Sequence, residues 1–177
     1  MASSAVEPLS PRAAEIVAAA RGLLEEEGAH ALSMRRLAER LGIRAPSIYK
    51  HLPDKQALEA ALISAGFEEA AARFEAAVRG GGEPLPALGD AYRSFARDHP
   101  HLYRLMTERP LQRERLTPGV EERAAAPLVA AVGGDEDLAR AVWAFAHGMA
   151  VLELNGRFPP GADLDAAWAR GISAFRT

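Results

Sequence analysis

Apolar residues recur along most of the chain at the three- and four-residue spacing of an amphipathic α-helix. In the first segment that follows this rule they are Ile16, Val17, Ala20, Leu23 and Leu24. No stretch of strand length alternates apolar and polar residues, and alanine, the strongest helix former, occurs 38 times. The pattern therefore predicts an all-α protein.

Glycine and proline divide this helical pattern into segments. Ser10 followed by Pro11 is typical of a helix start, and Gly28 of a helix end. The other marks are Gly42, Pro53, the glycine run 80–82, Pro100, Pro110, Pro118, Gly133 and Pro159. About nine helices of ordinary length fit between these marks.

Two short helices are predicted near the N-terminus, over Ser33–Leu41 and Ala45–His51. The turn between them contains Gly42, which can adopt the left-handed backbone that a helix end requires. Pro53 and Asp54 then open a long helix. This arrangement has the dimensions of a helix-turn-helix, in which the second helix enters a major groove of DNA.

The charge of this segment differs from that of the whole chain. The chain has 21 Lys and Arg against 24 Asp and Glu, a net charge of −3, which by itself gives no reason to expect a nucleic acid. Between residues 33 and 55 the only acidic residues are Glu39 and Asp54, and the net charge is +4. The basic residues are Arg35, Arg36, Arg40, Arg44, Lys50 and Lys55. A positive segment in a negative chain predicts phosphate binding.

Composition excludes several other classes of protein. The absence of cysteine excludes disulfide scaffolds, thiolate zinc sites and cysteine nucleophiles. No stretch approaches the roughly 18 apolar residues of a membrane span, and Met1–Leu9 has neither a basic start nor an apolar run. We therefore expect a cytoplasmic protein without a membrane partner.

Catalytic and metal motifs are also weak. No Gly-x-Ser-x-Gly, phosphate loop or carboxylate pair is found, so we expect no enzyme and no cofactor. Glu27 and His30 match the Glu-x-x-His spacing of di-iron bundles, but Gly28 ends the helix and no second copy exists. His99 and His101 flank Pro100 as in an ordinary surface turn. We assign no metal.

Four short segments resemble the DNA-binding domain of TetR-family transcriptional repressors. They are 32–38 (LSMRRLA), 41–43 (LGI), 46–52 (PSIYKHL) and 54–58 (DKQAL), and the resemblance covers residues 11–62. A weaker one follows at 143–148 (WAFAHG), which is similar to a Trp-x-x-x-His-Gly helix in the regulatory domain of one branch of that family.

The resemblance implies DNA-binding roles for ten residues. Those that face base edges or the adjacent backbone are Met34, Arg35, Arg44, Ala45, Pro46, Ser47 and Lys50. Those that contact phosphates are Tyr49, His51 and Lys55. At Arg44 the family often has a Ser or Thr that caps the second helix, so either the cap is weaker here or Arg44 contacts DNA.

The family also implies two domains. Residues 1–55 would bind DNA, and residues 56–177 would form a helical domain that binds an effector and dimerises. We expect a small, mainly apolar effector molecule, although each lining residue also suits an ordinary core. The predicted lining is Phe67, Ala71, Phe74, Tyr92, Phe95, Tyr103, Met106, Trp143 and His147.

The predicted helix 135–158 has two apolar stripes, which require two partners. One stripe is Leu138, Val142, Phe145, Met149 and Leu152, and the other is Trp143, His147, Ala150 and Leu154. The resemblance implies that a second copy covers one stripe together with the last helix, whose stripe is Leu164, Trp168, Ile172 and Phe175. The alternative is that one chain fills both faces.

The sequence thus predicts a homodimeric repressor that binds a two-fold symmetric operator in double-stranded DNA and is released by its effector. Two other classes stay open. One is a DNA-binding architectural protein without an effector, and the other is a helical enzyme.

Overall fold

The structure, a computed structural model, describes residues 9–176, which contain nine α-helices and no strand. The predicted all-α class is therefore confirmed. The predictions for Met1–Pro8 lie outside the described residues. The helices are α1 (Pro11–Glu27), α2 (Met34–Leu41), α3 (Ala45–Tyr49), α4 (Lys55–Arg79), α5 (Pro84–Asp98), α6 (Pro100–Thr107), α7 (Val120–Ala131), α8 (Glu136–Leu154) and α9 (Leu164–Ser173).

Local capping sets the helix boundaries near the N-terminus. The Ser10 Oγ accepts the Ala13 N–H at 3.2 Å where α1 begins. The Ser33 Oγ likewise accepts the Arg36 N–H at 3.2 Å where α2 begins. Gly42 ends α2 in the left-handed conformation, with φ of 64°. These caps satisfy backbone groups that a helix end otherwise leaves unpaired.

The described chain divides into two compact units. Unit 1 contains residues up to 67 and residues 99–120, and unit 2 contains residues 68–98 and 121 onward. Helix α4 contributes its first half to unit 1 and its second half to unit 2. These packing units do not coincide with the predicted division at residue 55, which concerns function and stays a prediction.

Unit 1 holds the two short helices on a continuous apolar core. Helix α1 packs against α2 and α6, and α2 packs against α3. Gly66 permits a close approach of α6, because a Cβ at this position would lie 2.6 Å from the Met106 Sδ. The largest fully buried side chains of the unit are Ile16, Leu24, Leu32, Leu37, Ile48, Leu58, Leu62 and Leu102.

Unit 2 is built on α5, which packs against α8 and α9. An ionic cluster joins the three helices: Arg93 of α5 donates to Glu153 of α8 at 2.9 Å, and the Trp168 Nε1 of α9 donates to the same carboxylate at 3.1 Å. Burial opposes ionisation of Glu153, but the bonds from Arg93 and Trp168 outweigh it and lower its pKa. Glu153 is therefore held as a carboxylate inside the unit.

Gly42 should be needed for its backbone conformation alone, because no atom lies within 4 Å of where a Cβ would be. Replacing Gly42 by Ala should lower the free energy of unfolding by about 1 to 2 kcal/mol, the cost of a left-handed non-glycine residue. Gly42→Asn is the matched control, and it should lose less because asparagine tolerates this conformation. Urea unfolding followed by circular dichroism measures both. Equal stability of Ala, Asn and wild-type proteins would contradict this account.

Candidate functional site

The candidate site is the surface of unit 1 formed by α2, its following turn, α3 and the start of α4. The turn is closed by the Ile43 N–H, which donates to the Ala38 carbonyl at 3.0 Å. Ile48 is completely buried and anchors α3, whereas its neighbour Tyr49 is 49% exposed. A single apolar contact thus sets which side of α3 faces outward.

Most of the ten predicted DNA-binding residues lie at this surface. Arg35, Arg44, Pro46, Tyr49, Lys50, His51 and Lys55 are exposed, and Ala45 and Ser47 are half-buried. Met34 differs, because its side chain is only 7% exposed and belongs to the apolar core. We therefore leave Met34 out of the proposed interface.

Two arginines of α2 are bound to the end of α1. Arg36 donates to both oxygens of Glu27, at 2.8 and 2.7 Å, and Arg40 donates to both oxygens of Glu26, at 2.7 and 2.6 Å. The bond from Arg40 lowers the pKa of Glu26. Arg40 uses two nitrogens for its pair and Arg36 uses one, and both charge-assisted pairs hold α2 against α1. Their pairing also gives Glu27 a role unrelated to the di-iron spacing.

Arg44 and Lys50 stand at the two ends of α3, and neither has an acidic partner among the described residues. Arg44 precedes the helix and makes no capping bond through its side chain. The Arg44 side chain therefore does not cap α3, and its contact with DNA stays a prediction. Arg35, by contrast, pairs with Glu39 on its own helix at 2.9 Å.

The start of α4 completes the candidate site beside α2 and α3. The Asp54 Oδ1 accepts the Ala57 N–H at 2.6 Å and so caps the helix. This N–H, with the Arg115 guanidinium, lowers the pKa of Asp54. The Lys55 Nζ lies 3.5 Å from the Glu59 Oε1, and the His51 Nδ1 lies 3.5 Å from the Ser10 Oγ.

The predicted effector-lining residues fall in both units. In unit 2, the rings of Phe74 and Tyr92 stack at 6.1 Å, and those of Trp143 and His147 stack at 5.9 Å. Burial lowers the pKa of His147. The Arg73 guanidinium lies 5.6 Å from the Phe95 ring centroid. Ala71, also in unit 2, and Tyr103 and Met106 of unit 1 are buried, and Phe67 of unit 1 is half-buried.

Two surface clefts have linings that include none of these nine residues. A cleft of about 260 Å³ in unit 2 lies between the start of α5, the end of α7 and Phe175. A cleft of about 400 Å³ in unit 1 lies between the first turns of α4 and the segment 105–116. The predicted effector site stays a prediction.

The buried face of helix α8 matches neither predicted stripe. Its buried residues are Ala139, Val142, Ala146 and Ala150. Val142 belongs to one predicted stripe and Ala150 to the other, whereas Ala139 and Ala146 belong to neither. Small side chains suit this face because they allow the close packing of α8 in the core. The larger apolar side chains lie outside it: Trp143 is 51% exposed and Leu152 is 43% exposed. The alternative that one chain fills both faces is wrong.

The predicted exposure of Trp168 to a second copy is also wrong. Trp168 and Ile172 are each 3% exposed within the single chain. Trp168 is held by its hydrogen bond to Glu153 and by the Arg93 guanidinium, which lies 5.7 Å from its ring centroid. These polar partners lie in other helices, so the apolar stripe of the last helix gave no sign of them.

No helix among residues 9–176 is long and apolar enough to cross a membrane. Within the same residues, no cluster of three or more histidine and carboxylate side chains has the arrangement of a metal site.

Comparison with known families agrees with the helix-turn-helix geometry. Residues 16–62 match the family described as bacterial regulatory proteins of the tetR family. Residues 85–175, just over half of the chain, match the family described as the tetracyclin repressor-like C-terminal domain. The fold and the two matches define a helix-turn-helix transcriptional regulator. The chain belongs to the TetR family.

Individual relatives show the extent of this similarity. The uncharacterized HTH-type transcriptional regulator Rv0681 of Mycobacterium tuberculosis is 29% identical over 151 residues, covering 80% of this chain and 69% of the relative. The class D tetracycline repressor protein of Escherichia coli is 35% identical over 89 residues, covering 50% of this chain and 36% of the repressor. A solved structure of a Rhodococcus protein of unknown function has a TM-score of 0.77 and 27% identity over 96% of both chains.

Proposed function

We propose that this protein is a transcriptional repressor that binds duplex DNA through α2, α3 and the start of α4. The observation that carries the proposal is the placement of Arg44 and Lys50. Both are exposed at the ends of α3, on a helix anchored by the buried Ile48, and both lack an acidic partner among the described residues. Unpaired cations are the groups that replace the counterions of a DNA backbone. DNA binding also requires the cytoplasmic location that we predict.

The other exposed residues supply the remaining contacts. The Tyr49 hydroxyl and the His51 ring donate to phosphates, and Lys55 contacts a phosphate from the start of α4. Arg44, Ala45, Pro46, Ser47 and Lys50 lie at the ends and on the exposed side of α3, where a recognition helix presents side chains to base edges. Arg35 is an exposed contact from α2.

Lys50 and Arg40 provide a matched test, because both are exposed cations of this site but only Arg40 has a carboxylate partner. Lys50→Ala should weaken DNA binding about tenfold, equivalent to about 1.4 kcal/mol. Arg40→Ala should change it less, because its charge is already matched by Glu26. Fluorescence anisotropy with a labelled duplex from upstream of the protein's own gene measures both.

Salt titration of the same complexes gives the control. Binding by the wild-type protein should weaken linearly on a logarithmic salt scale, as expected for phosphate contacts. Equal affinity of Lys50→Ala and wild-type proteins, or a larger loss in Arg40→Ala, would reject this surface as the DNA interface.

We also propose that the protein acts as a homodimer through the uncovered face of α8. On this face Trp143 is exposed, and Leu154 of the same apolar stripe is half-buried. An exposed apolar stripe along one helix is typical of a protein interface. Two DNA-binding surfaces related by a two-fold axis then require half-sites with centres about 34 Å or a multiple of this apart.

Trp143→Glu should convert the dimer to a monomer, because a charge would be buried without a partner at the centre of the proposed contact. Val78→Glu is the matched control, since it places the same charge on another exposed apolar side chain, in α4. Light scattering at micromolar concentration gives the molar mass. A wild-type monomer, or a Trp143→Glu variant that remains dimeric, would refute this interface.

Repression and release by an effector complete the proposal. The name of the Escherichia coli relative, a tetracycline repressor, supports repression here. The stacked Phe74 and Tyr92 of unit 2 would offer an apolar wall to a small molecule. Such an effector would favour a conformation with low DNA affinity, and DNA would weaken effector binding by the same factor.

Phe95 and Ala71 are buried as ordinary core residues. Because a packed core leaves no room for a ligand, their burial favours a second candidate, a DNA-binding protein without an effector.

A further inference from the structure

The segment between α6 and α7 is tied to the first half of α4 at three points. The Arg115 Nη1 lies 3.4 Å from each oxygen of Asp54, and the Arg109 Nη1 lies 3.7 Å from the Glu59 Oε1. The Thr117 N–H donates to the Ser64 Oγ at 3.0 Å. All of these residues belong to unit 1. This distant segment is thus part of the same compact unit as the candidate DNA interface.

The two carboxylates that these arginines contact lie on either side of Lys55 in the sequence. Asp54 is required as the cap of α4, and its lowered pKa keeps it ionised. Glu59 shares its Oε1 between Lys55 and Arg109. Without the arginines, only Lys55 would offset these two negative charges, and a phosphate approaching Lys55 would compete with them.

The local charge count shows the size of this effect. Residues 33–55 carry a net charge of +4, but the carboxylates of Glu26, Glu27 and Glu59 pair with three of their cations and lower the net charge to +1. Arg109 and Arg115 raise it to +3. A large part of the positive charge at the interface therefore comes from outside the helix-turn-helix.

We propose that Arg109 and Arg115 are positioning residues for DNA binding. They neutralise Glu59 and Asp54, so that Lys55 is available to a phosphate while Asp54 continues to cap α4. This inference rests on the proposed function, because it assigns a role at the same DNA interface. The contacts of Arg115 with both Asp54 oxygens distinguish this role from a direct phosphate contact, in which the guanidinium would be directed to the DNA.

A double-mutant cycle between Arg115 and Asp54 tests the proposal. The probe is a fluorescein-labelled mixed-sequence duplex of about 30 base pairs, or about three turns of B-DNA. Arg115→Gln should weaken binding about two- to five-fold, the range expected for one exposed ion pair. Asp54→Asn should bind at least as tightly as wild type, because asparagine still caps a helix but carries no charge. The double variant should bind like Asp54→Asn alone.

Arg123→Gln is the matched control for Arg115→Gln, since Arg123 also makes an exposed ion pair at 3.4 Å, with Glu75 of unit 2. It should bind the duplex like wild type. Urea unfolding of every variant confirms that it is folded at the temperature of the binding assay.

Two other outcomes would overturn the positioning role, and a third would reject the proposed function. Equal weakening by Arg115→Gln in both backgrounds, with the salt slope reduced by about 0.9, would show a direct phosphate contact and overturn the positioning role. Lower stability with unchanged DNA affinity would show a purely structural ion pair and also overturn it. Failure of the wild-type protein to bind DNA at low salt would reject the proposed function itself, and this inference with it.

Discussion

The candidate interface depends on the burial of one side chain, Ile48. Helix α3 has five residues, far fewer than an isolated helix needs to be stable in water. Its conformation must therefore come from packing, and the fully buried Ile48 is its only buried residue. The same contact fixes the rotation of the helix and leaves Tyr49 and Lys50 exposed. Sequence-specific DNA binding would rely on this small apolar anchor.

Charge at the interface is divided between structure and function. Arg36 and Arg40 hold α2 against α1 through Glu27 and Glu26, so they contribute little net field. Arg44 and Lys50, which have no such partner among the described residues, supply the unmatched charge next to α3. A count of basic residues in the sequence cannot separate these groups, because the acidic partners lie in another helix. Only the three-dimensional pairing distinguishes them.

Local signals made much of the fold predictable. Ser10, Ser33 and Gly42 act through backbone groups within a few residues, so their caps and turns follow directly from the sequence. The mistaken assignments all involve contacts distant in sequence. Trp168 is buried because Glu153 and Arg93 satisfy its polar edge, and α8 buries alanines where a stripe count favoured larger residues.

In the candidate site, too, the sequence predicted some features, whereas contacts distant in sequence set others. Exposure of Arg44, Tyr49 and Lys50 agrees with the roles that the family resemblance implies. The burial of Met34 and the approach of Arg115 to Asp54 had no sequence signal, since both depend on how α2 and the segment before α7 pack in unit 1. Residues of a site that act through other residues are therefore the hardest to predict.

The central claim, that two copies of the α2–α3 surface bind successive turns of one DNA duplex, is tested most directly by selection from random DNA. The purified protein would be mixed with a library of random duplexes, and the retained DNA would be sequenced after several rounds. The account predicts an inverted repeat whose half-site centres are separated by about 10 base pairs or a multiple of this. It also predicts that Lys50→Ala shifts or abolishes the motif. Enrichment of no motif, or of one unaffected by Lys50→Ala, would contradict the account.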